Sequence, residues 1–381
     1  DDATDLPTNV PLSGQEKIVV SFKTPGDDQG ISIVMNVYKI SERIHDHNKR
    51  QTYTLHFVSP ETYANQTTKL SKAFSGKISQ TVQQILQDPE NGLETQKPVN
   101  IEQSQNQFNV IVPRWTPFET INWLATKAIS QETANPNYVL FETVDQWNFV
   151  SLTSLISEQP VVGYSYGPAQ HNNVERKGNY MEEQLARNMF MFETYNVEYM
   201  FNMLNEIAMG MYASRIIVHD MTNDVTTENT FNYLEHFEQV HPKEFGEGPL
   251  MQETPNLDDT QIHLKPDSNI HVVPDSLQMF DNIQDNKKYD QWLLQRQSEI
   301  IQYNTIKIQA TVPGDSRRRV GEVVEVILPS QQRFDEDEFI RDEFLSGKYI
   351  ITSIRHQVTE NNYQLILELS KNCLDKPLPE T

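Results

Sequence analysis

Apolar and polar residues alternate with a period of two at the start of the chain. Ile18, Val20 and Phe22 alternate in EKIVVSFK, Ile31, Ile33, Met35 and Val37 in ISIVMNVYKI, and Tyr53, Leu55 and Phe57 in QTYTLHFVS. Each pattern predicts a strand with one half-buried face, and PGDDQG between the first two marks a turn. After Ser59-Pro60 the period lengthens. Ile78, Val82, Ile85 and Leu86 fall on one side of a 3.6-residue repeat, which predicts a helix closed by DPENG.

RWTPFETINWLATKAIS holds a strong helix-start signal. Thr116 is placed to cap, Pro117 to occupy the first helical position and Glu119 to complete a capping box. Ile121, Leu124, Ala125, Ala128 and Ile129 continue the apolar stripe up to Asn135-Pro136. YVLFETVDQWNFVSL then predicts two strands around a Val-Asp-Gln turn, and residues 106–160 group as a small α+β unit. Residues 180–215 are rich in Met and aromatics, with Tyr199, Met203, Leu204 and Ile207 at helical spacing, a stripe read as core or interface packing. RIIVH at 215–219 predicts a strand, 241–290 an extended excursion, and QWLLQRQSEIIQYN at 291–304 a helix. The last 75 or so residues alternate again, in TIKIQATVPGD, VGEVVEVILPS and the pair on either side of Glu360-Asn361-Asn362. A small antiparallel barrel explains that pattern and protects the strand edges.

Composition narrows this picture. At 381 residues the chain has room for two or three domains, or barrels with insertions. Only 37% of residues are hydrophobic and the mean hydropathy is -0.59, yet 15 Tyr, 17 Phe and 4 Trp supply enough anchors to exclude a mainly disordered chain. No run approaches the ~18 apolar residues of a membrane-spanning helix, and the opening DDATDLPTNV has no signal-peptide pattern. Cys373 is the sole cysteine, so no intrachain disulfide or thiolate zinc cluster can form. With 31 basic and 53 acidic residues the formal net charge is -22. Such a surface repels phosphate and argues against gripping DNA, though not against letting DNA pass.

Candidate chemistry is sparse. His45-Asp46-His47 puts two imidazoles on one side of a strand, a possible metal pair without an assignable third ligand, or an exposed strand end. Glu182-Glu183, Asp258-Asp259 and the acidic run at 335–338 lie in polar loops and read as solvated surface rather than a catalytic carboxylate pair. Cys373 has no nearby His that would make it a nucleophile. Arg317-Arg318-Arg319 is the dense basic triplet of this acidic chain, and reads as a solvated turn, an interface salt-bridge patch or a phosphate contact. No catalytic residue, metal ligand or cofactor is assigned.

Several segments taken together carry a family resemblance: FNVIVPRWTPFETINWLATKA (108–128), YVLFETVDQWNFVSLTSL (138–155), MGMYASRIIVHDMTNDVTTENTFNYLEHF (209–237), the stretch 292–329 and SGKYIITSIRHQVTENNYQLILEL (346–369). In that order they resemble the central baseplate hub proteins of contractile-tailed bacteriophages, related in fold to the hub half of type VI secretion spike proteins. The resemblance implies an α+β, mainly β fold with two antiparallel β-barrel tube domains and inserted α+β and loop-rich domains. It places the first, N-terminally incomplete tube domain at 1–105 and an α+β insertion at 106–200. The second tube domain is implied at 201–230 plus 300–372, around a loop-rich insertion at 231–299, with a tail at 373–381.

The same resemblance implies a non-enzymatic virion protein of the tail baseplate, assembled in the host cytoplasm. Its implied form is a homotrimeric ring that joins a hexameric tail tube to a trimeric spike. The implied partners are the tail tube protein, the spike protein and other baseplate proteins, with DNA only in passage through the lumen. Met189, Phe190, Met191, Phe192, Tyr199, Met200, Met203 and the arginines 317–319 are the expected interface residues. A tail-associated host-binding module is the alternative, with a peptidoglycan hydrolase behind it.

Overall fold

The computed structural model describes residues 14, 16–45, 51–90, 92–166, 189–221, 223–240, 249–250, 265–275, 289–330 and 341–375. The chain is mostly β, as the alternating patterns predict, and its strands fall into five sheets among these residues. The first holds β1 (Lys17–Phe22), β2 (Ile31–His45) and β3 (Gln51–Val58), an antiparallel meander at the expected positions. Phe22 pairs with Ile31 across the PGDDQG turn.

A second region surrounds α1 (Pro60–Thr67), β4 (Ala73–Phe74), α2 (Ile78–Gln87), β5 (Val99–Ile101), β6 (Val110–Ile111), α3 (Pro117–Ala125), β7 (Tyr138–Glu142) and β8 (Trp147–Ser151). Its core joins Ile78, Val82, Ile85 and Leu86 of α2 to Ile121 and Leu124 of α3 and to Tyr138, Trp147 and Phe149 of the hairpin. The residues come from both sides of position 105. Helix α3 starts with the predicted capping box: Thr116 Oγ1 accepts from the Glu119 amide, and the Glu119 carboxylate accepts from the Thr116 amide. The helix ends at Ala125 rather than running to Ile129. Asn106 decides this, since its side chain bonds the Lys127 carbonyl at 2.7 Å and the Ile129 amide at 3.3 Å and draws the chain off the helical path.

The third region is built on six strands in the order β10 (Thr194–Met200), β14 (Ile306–Pro313), β17 (Tyr363–Lys371), β16 (Gly347–Val358), β15 (Val323–Ile327) and β9 (Val162–Ser165). The β16–β17 hairpin closes around the predicted turn, where Thr359 and Asn362 exchange hydrogen bonds. Two corrections to the expected antiparallel barrels arise here. The sheet is mixed, because β9 runs parallel to β15. About 160 residues separate the two strands, so no hairpin dictates their direction. The sheet is also a curled open row rather than a fully paired barrel among the described residues. Its ends touch through one bridge, between Ser165 and Met191. Among the described residues the three-stranded β1–β2–β3 sheet is likewise open.

Sharing a core with this sheet are α4 (Leu152–Ile156), the short α5 (Met203–Ala208), α6 (Tyr233–Val240) and α7 (Tyr289–Gln302). With them lies a sheet of β12 (Val225–Asn232), β11 (Ala213–Asp220) and β13 (Ile270–Asp275). Their shared core includes Ile216, Phe231 and Tyr233 with Ile308, Val312, Val324, Leu365 and Leu367. The helical spacing at Tyr199 proves misleading: Tyr199 pairs with Lys307 in β10, and the helix begins only at Met203. Pairing with β14 overrides the local period, and the Asn202 side chain caps the helix by accepting from the Asn205 amide.

Candidate functional site

The loop carrying the arginine triplet joins three regions of the molecule. It follows β14 and starts at Gly314, where the Tyr363 ring fills the space a Cβ would need. From there Ser316 faces the β1–β2 turn. The Ser316 amide donates to Thr24 Oγ1 at 2.8 Å, the Thr24 amide to Ser316 Oγ at 3.1 Å, and Ser316 Oγ also bonds Asp27. Beside this contact Phe22 packs its ring on His356 and Tyr363 of the β16–β17 hairpin, at 5.3 and 5.6 Å. The first sheet therefore docks on the six-stranded sheet through an aromatic cluster rimmed by hydroxyl and carboxylate groups.

Each arginine of the triplet finds an acidic partner within the chain. Arg317 grips buried Asp315 through Nε and Nη2, at 2.8 and 3.1 Å. Arg318, itself buried, bonds Asp315 at 3.2 Å and Glu322 at 3.2 Å. Arg319 reaches across to Asp145 in the β7–β8 turn at 2.5 Å. Burial favours the neutral form of Asp315, but the bonds and charges of Arg317 and Arg318 outweigh it and hold the carboxyl below its ordinary value. At Glu322 burial wins over Arg318, and the carboxyl is raised. The loop ends at Gly321, whose positive φ of 89° and proximity to the Phe141 ring leave no room for a side chain. All three arginines are thus ion-paired within the chain.

The Met and aromatic segment divides. Phe192 is buried and stacks on Tyr164 at 5.6 Å, while Met189, Phe190 and Met191 are half-buried at the seam where β9 meets the strand leading into β10. The side chains of Tyr199 and Met200 lie outside the described residues. Met203 and Leu204 stand out on α5, 41% and 82% exposed, with Met209 beside them at 43%. On the first sheet Val19, Val34 and Tyr38 are likewise at least half-exposed or close to it, and Val19 pairs with Val34.

His45 contributes only its backbone at the end of β2, and its side chain, with Asp46 and His47, lies outside the described residues. The same holds for the acidic pairs at 182–183 and 258–259 and the run at 335–338. Among the described residues no group of three or more His, Cys, Asp or Glu is placed to hold a metal, and no helix is long and apolar enough to cross a membrane. Cys373 is buried, and burial pushes its thiol up to about 12, far from a reactive thiolate. Trp147 and Trp292 are buried, and Trp115 and Trp123 pack half-buried against the second region's core. The Thr24–Ser316 junction was not legible in the sequence, because it joins unremarkable hydroxyl residues 292 positions apart.

No family model matches the chain, and no curated protein matches it. Among solved structures it is similar to the tail protein from Neisseria meningitidis MC58, at 12% identity and a TM-score of 0.52, over 93% of this chain and 87% of that one. The chain shares the fold of a tail protein. The 43 kDa tail protein of prophage MuSo2 from Shewanella oneidensis matches over the same shares of the two chains, at 11% identity and a TM-score of 0.45.

Proposed function

We propose that the chain is a structural protein of a phage tail, and within it the central hub of the baseplate. The fold shared with the Neisseria tail protein over nearly the whole chain carries this reading. The first tube domain is proposed around the β1–β2–β3 sheet and the second around the six-stranded sheet, with the region from α1 to β8 inserted between them. In a homotrimer, two similar tube domains per chain present 3 × 2 = 6 faces to a hexameric tail tube and three to a trimeric spike. The edges of the β1–β2–β3 sheet that stand unpaired among the described residues would then be completed by neighbouring subunits, which removes the aggregation hazard of exposed strands.

The proposed subunit contacts draw on the exposed apolar side chains around Met203 and on the seam of Met189, Phe190, Met191 and Phe192, with Tyr199 and Met200 in the same stretch. Arg317, the most exposed of the triplet, is the arginine freest to reach a neighbour, with Arg318 and Arg319 holding the loop in place. The net charge of -22 suits a lumen through which DNA slides without sticking. Packing of all four Trp side chains into or against cores weighs against an aromatic glycan-binding platform.

Absolute mass by light scattering, with and without the candidate spike protein, tests the reading. A trimer near 3 × 44.1 = 132.3 kDa is expected, alone or with the spike. A stable monomer under both conditions would remove the ring and favour a peripheral, host-binding tail module.

A further inference from the structure

The first sheet joins neither large core. Among the described residues no side chain of β1, β2 or β3 belongs to either one, although a sheet with apolar residues on a face must cover that face with something. Ile31 and Val37 are buried, but Val19, Val34, Tyr38 and Ile44 are exposed, Val19 by 61% and Ile44 by 65%. Val19 pairs with Val34, Lys17 with Asn36, Lys39 with His56 and Ile44 with Thr52. His56 and Thr52 point to the same side of β3, so this register puts Val19, Val34 and Ile44 on one face with exposed Lys17 and Lys39. Tyr38 occupies the bulge beside Lys39. Glu42, an acid of the same strand, accepts from Thr54 Oγ1 at 2.9 Å.

A second exposed apolar surface lies in another part of the chain. Asn269 Nδ2 donates to the Ala208 carbonyl at 3.1 Å and ties the end of α5 to the start of β13. The exposed side chains of Met203, Leu204 and Met209 therefore continue into those of Ile270 and Val272, the last exposed by 68%. Ile270 pairs with Arg215, which bonds Asp267 at 2.6 Å and Glu228 at 3.1 Å. The strip is thus rimmed by two carboxylates for one arginine, whereas the exposed face of the first sheet carries lysines. Charge along the chain divides the same way. Residues 17–58 hold six basic and four acidic residues, and the rest of the chain 25 and 49. The first sheet is a part of this acidic chain that the surface of another copy does not repel.

We propose that these two surfaces meet across copies. The face of Val19, Val34, Tyr38 and Ile44 on one copy docks on the strip of Met203, Leu204, Met209, Ile270 and Val272 on a second copy of this chain, with the lysines of the sheet toward the carboxylate rim. Covering exposed apolar side chains supplies the attraction. The rims fix the pairing, because two lysine-bearing faces repel each other while a lysine-bearing face and a carboxylate-rimmed strip attract. A contact between two different surfaces of identical chains runs head to tail and closes into a ring. This docking rests on the homotrimer proposed above and specifies which surfaces join it.

Light scattering and cross-linking of the full chain, with and without the candidate spike protein, read the contact. Val34→Glu and Leu204→Glu, both at exposed positions, should each shift the mass from that of the trimer to the 44.1 kDa of one chain, with the circular dichroism of the wild type retained. Val34→Cys and Leu204→Cys chains, co-expressed and treated with a short bismaleimide, should give a covalent dimer near 2 × 44.1 = 88.2 kDa. Neither cysteine variant should do so alone, since the native Cys373 is buried. A wild-type trimer whose mass neither Glu variant changes would overturn the docking and leave the hub reading standing. A cross-link in either cysteine variant alone would overturn it as well, because like faces would then meet. A wild type that stays monomeric under both conditions would remove the docking together with the ring.

Discussion

Asp315 shows how one side chain can hold a loop. It is buried, accepts from two arginines, and one of those, Arg318, is buried beside it. Removing the carboxylate charge leaves Arg318 with Glu322 alone, so Asp315→Asn is expected to cost roughly 3 kcal/mol in denaturant unfolding. The lowered folded value also sets the pH response. A depressed carboxyl stabilises the fold above its unfolded value, and that contribution is lost as pH falls through the folded one. The wild type should therefore lose stability on acidification by more than Asp315→Asn does, in melts compared from pH 6 down to 3. Gly321 makes a complementary case. An alanine there meets both the left-handed backbone and the Phe141 ring, so Gly321→Ala should lower stability by about 1 kcal/mol or more. Neither demand can be read from GDSRRRVGE, which reveals a basic turn but not the ring or the acids that surround it.

At the scale of elements, legibility follows how local the determining contacts are. The start of α3 is written in four adjacent residues, and the capping box forms as read. Thr116→Ala should cost about 1 kcal/mol and raise hydrogen exchange in the first turn of α3. Its end was misread because Asn106, some twenty residues earlier, captures the Lys127 carbonyl and the Ile129 amide. The terminal hairpin was legible for the same reason as the cap, since alternation on both sides of Glu360-Asn361-Asn362 needs no distant partner. Tyr199 was not, because four apolar residues at helical spacing also fit a strand followed by a short helix, and only pairing with β14 separates the two. The partners of the basic triplet lie partly in the β7–β8 turn, 174 residues away.

Across the whole molecule, the first sheet is held to the six-stranded sheet by a small junction of Thr24, Asp27 and Ser316 around the Phe22, His356 and Tyr363 rings. Ser316→Ala should therefore release β1–β3 selectively, seen as faster exchange in that sheet with β14–β17 unchanged. By itself the sequence determined the number and place of most strands, the capped helix, the absence of a disulfide and the acidic balance. Those features depend on residue type and on a period of two or 3.6 along a few consecutive positions. Only the tertiary structure decided that the six strands curl into an open, mixed sheet and that the basic triplet is neutralised from within. It also decided that Glu299 is buried against Asn137. Each of these results from groups up to 292 positions apart being brought to bonding distance. A carboxylate's charge is then set by what is buried around it, which no local pattern records.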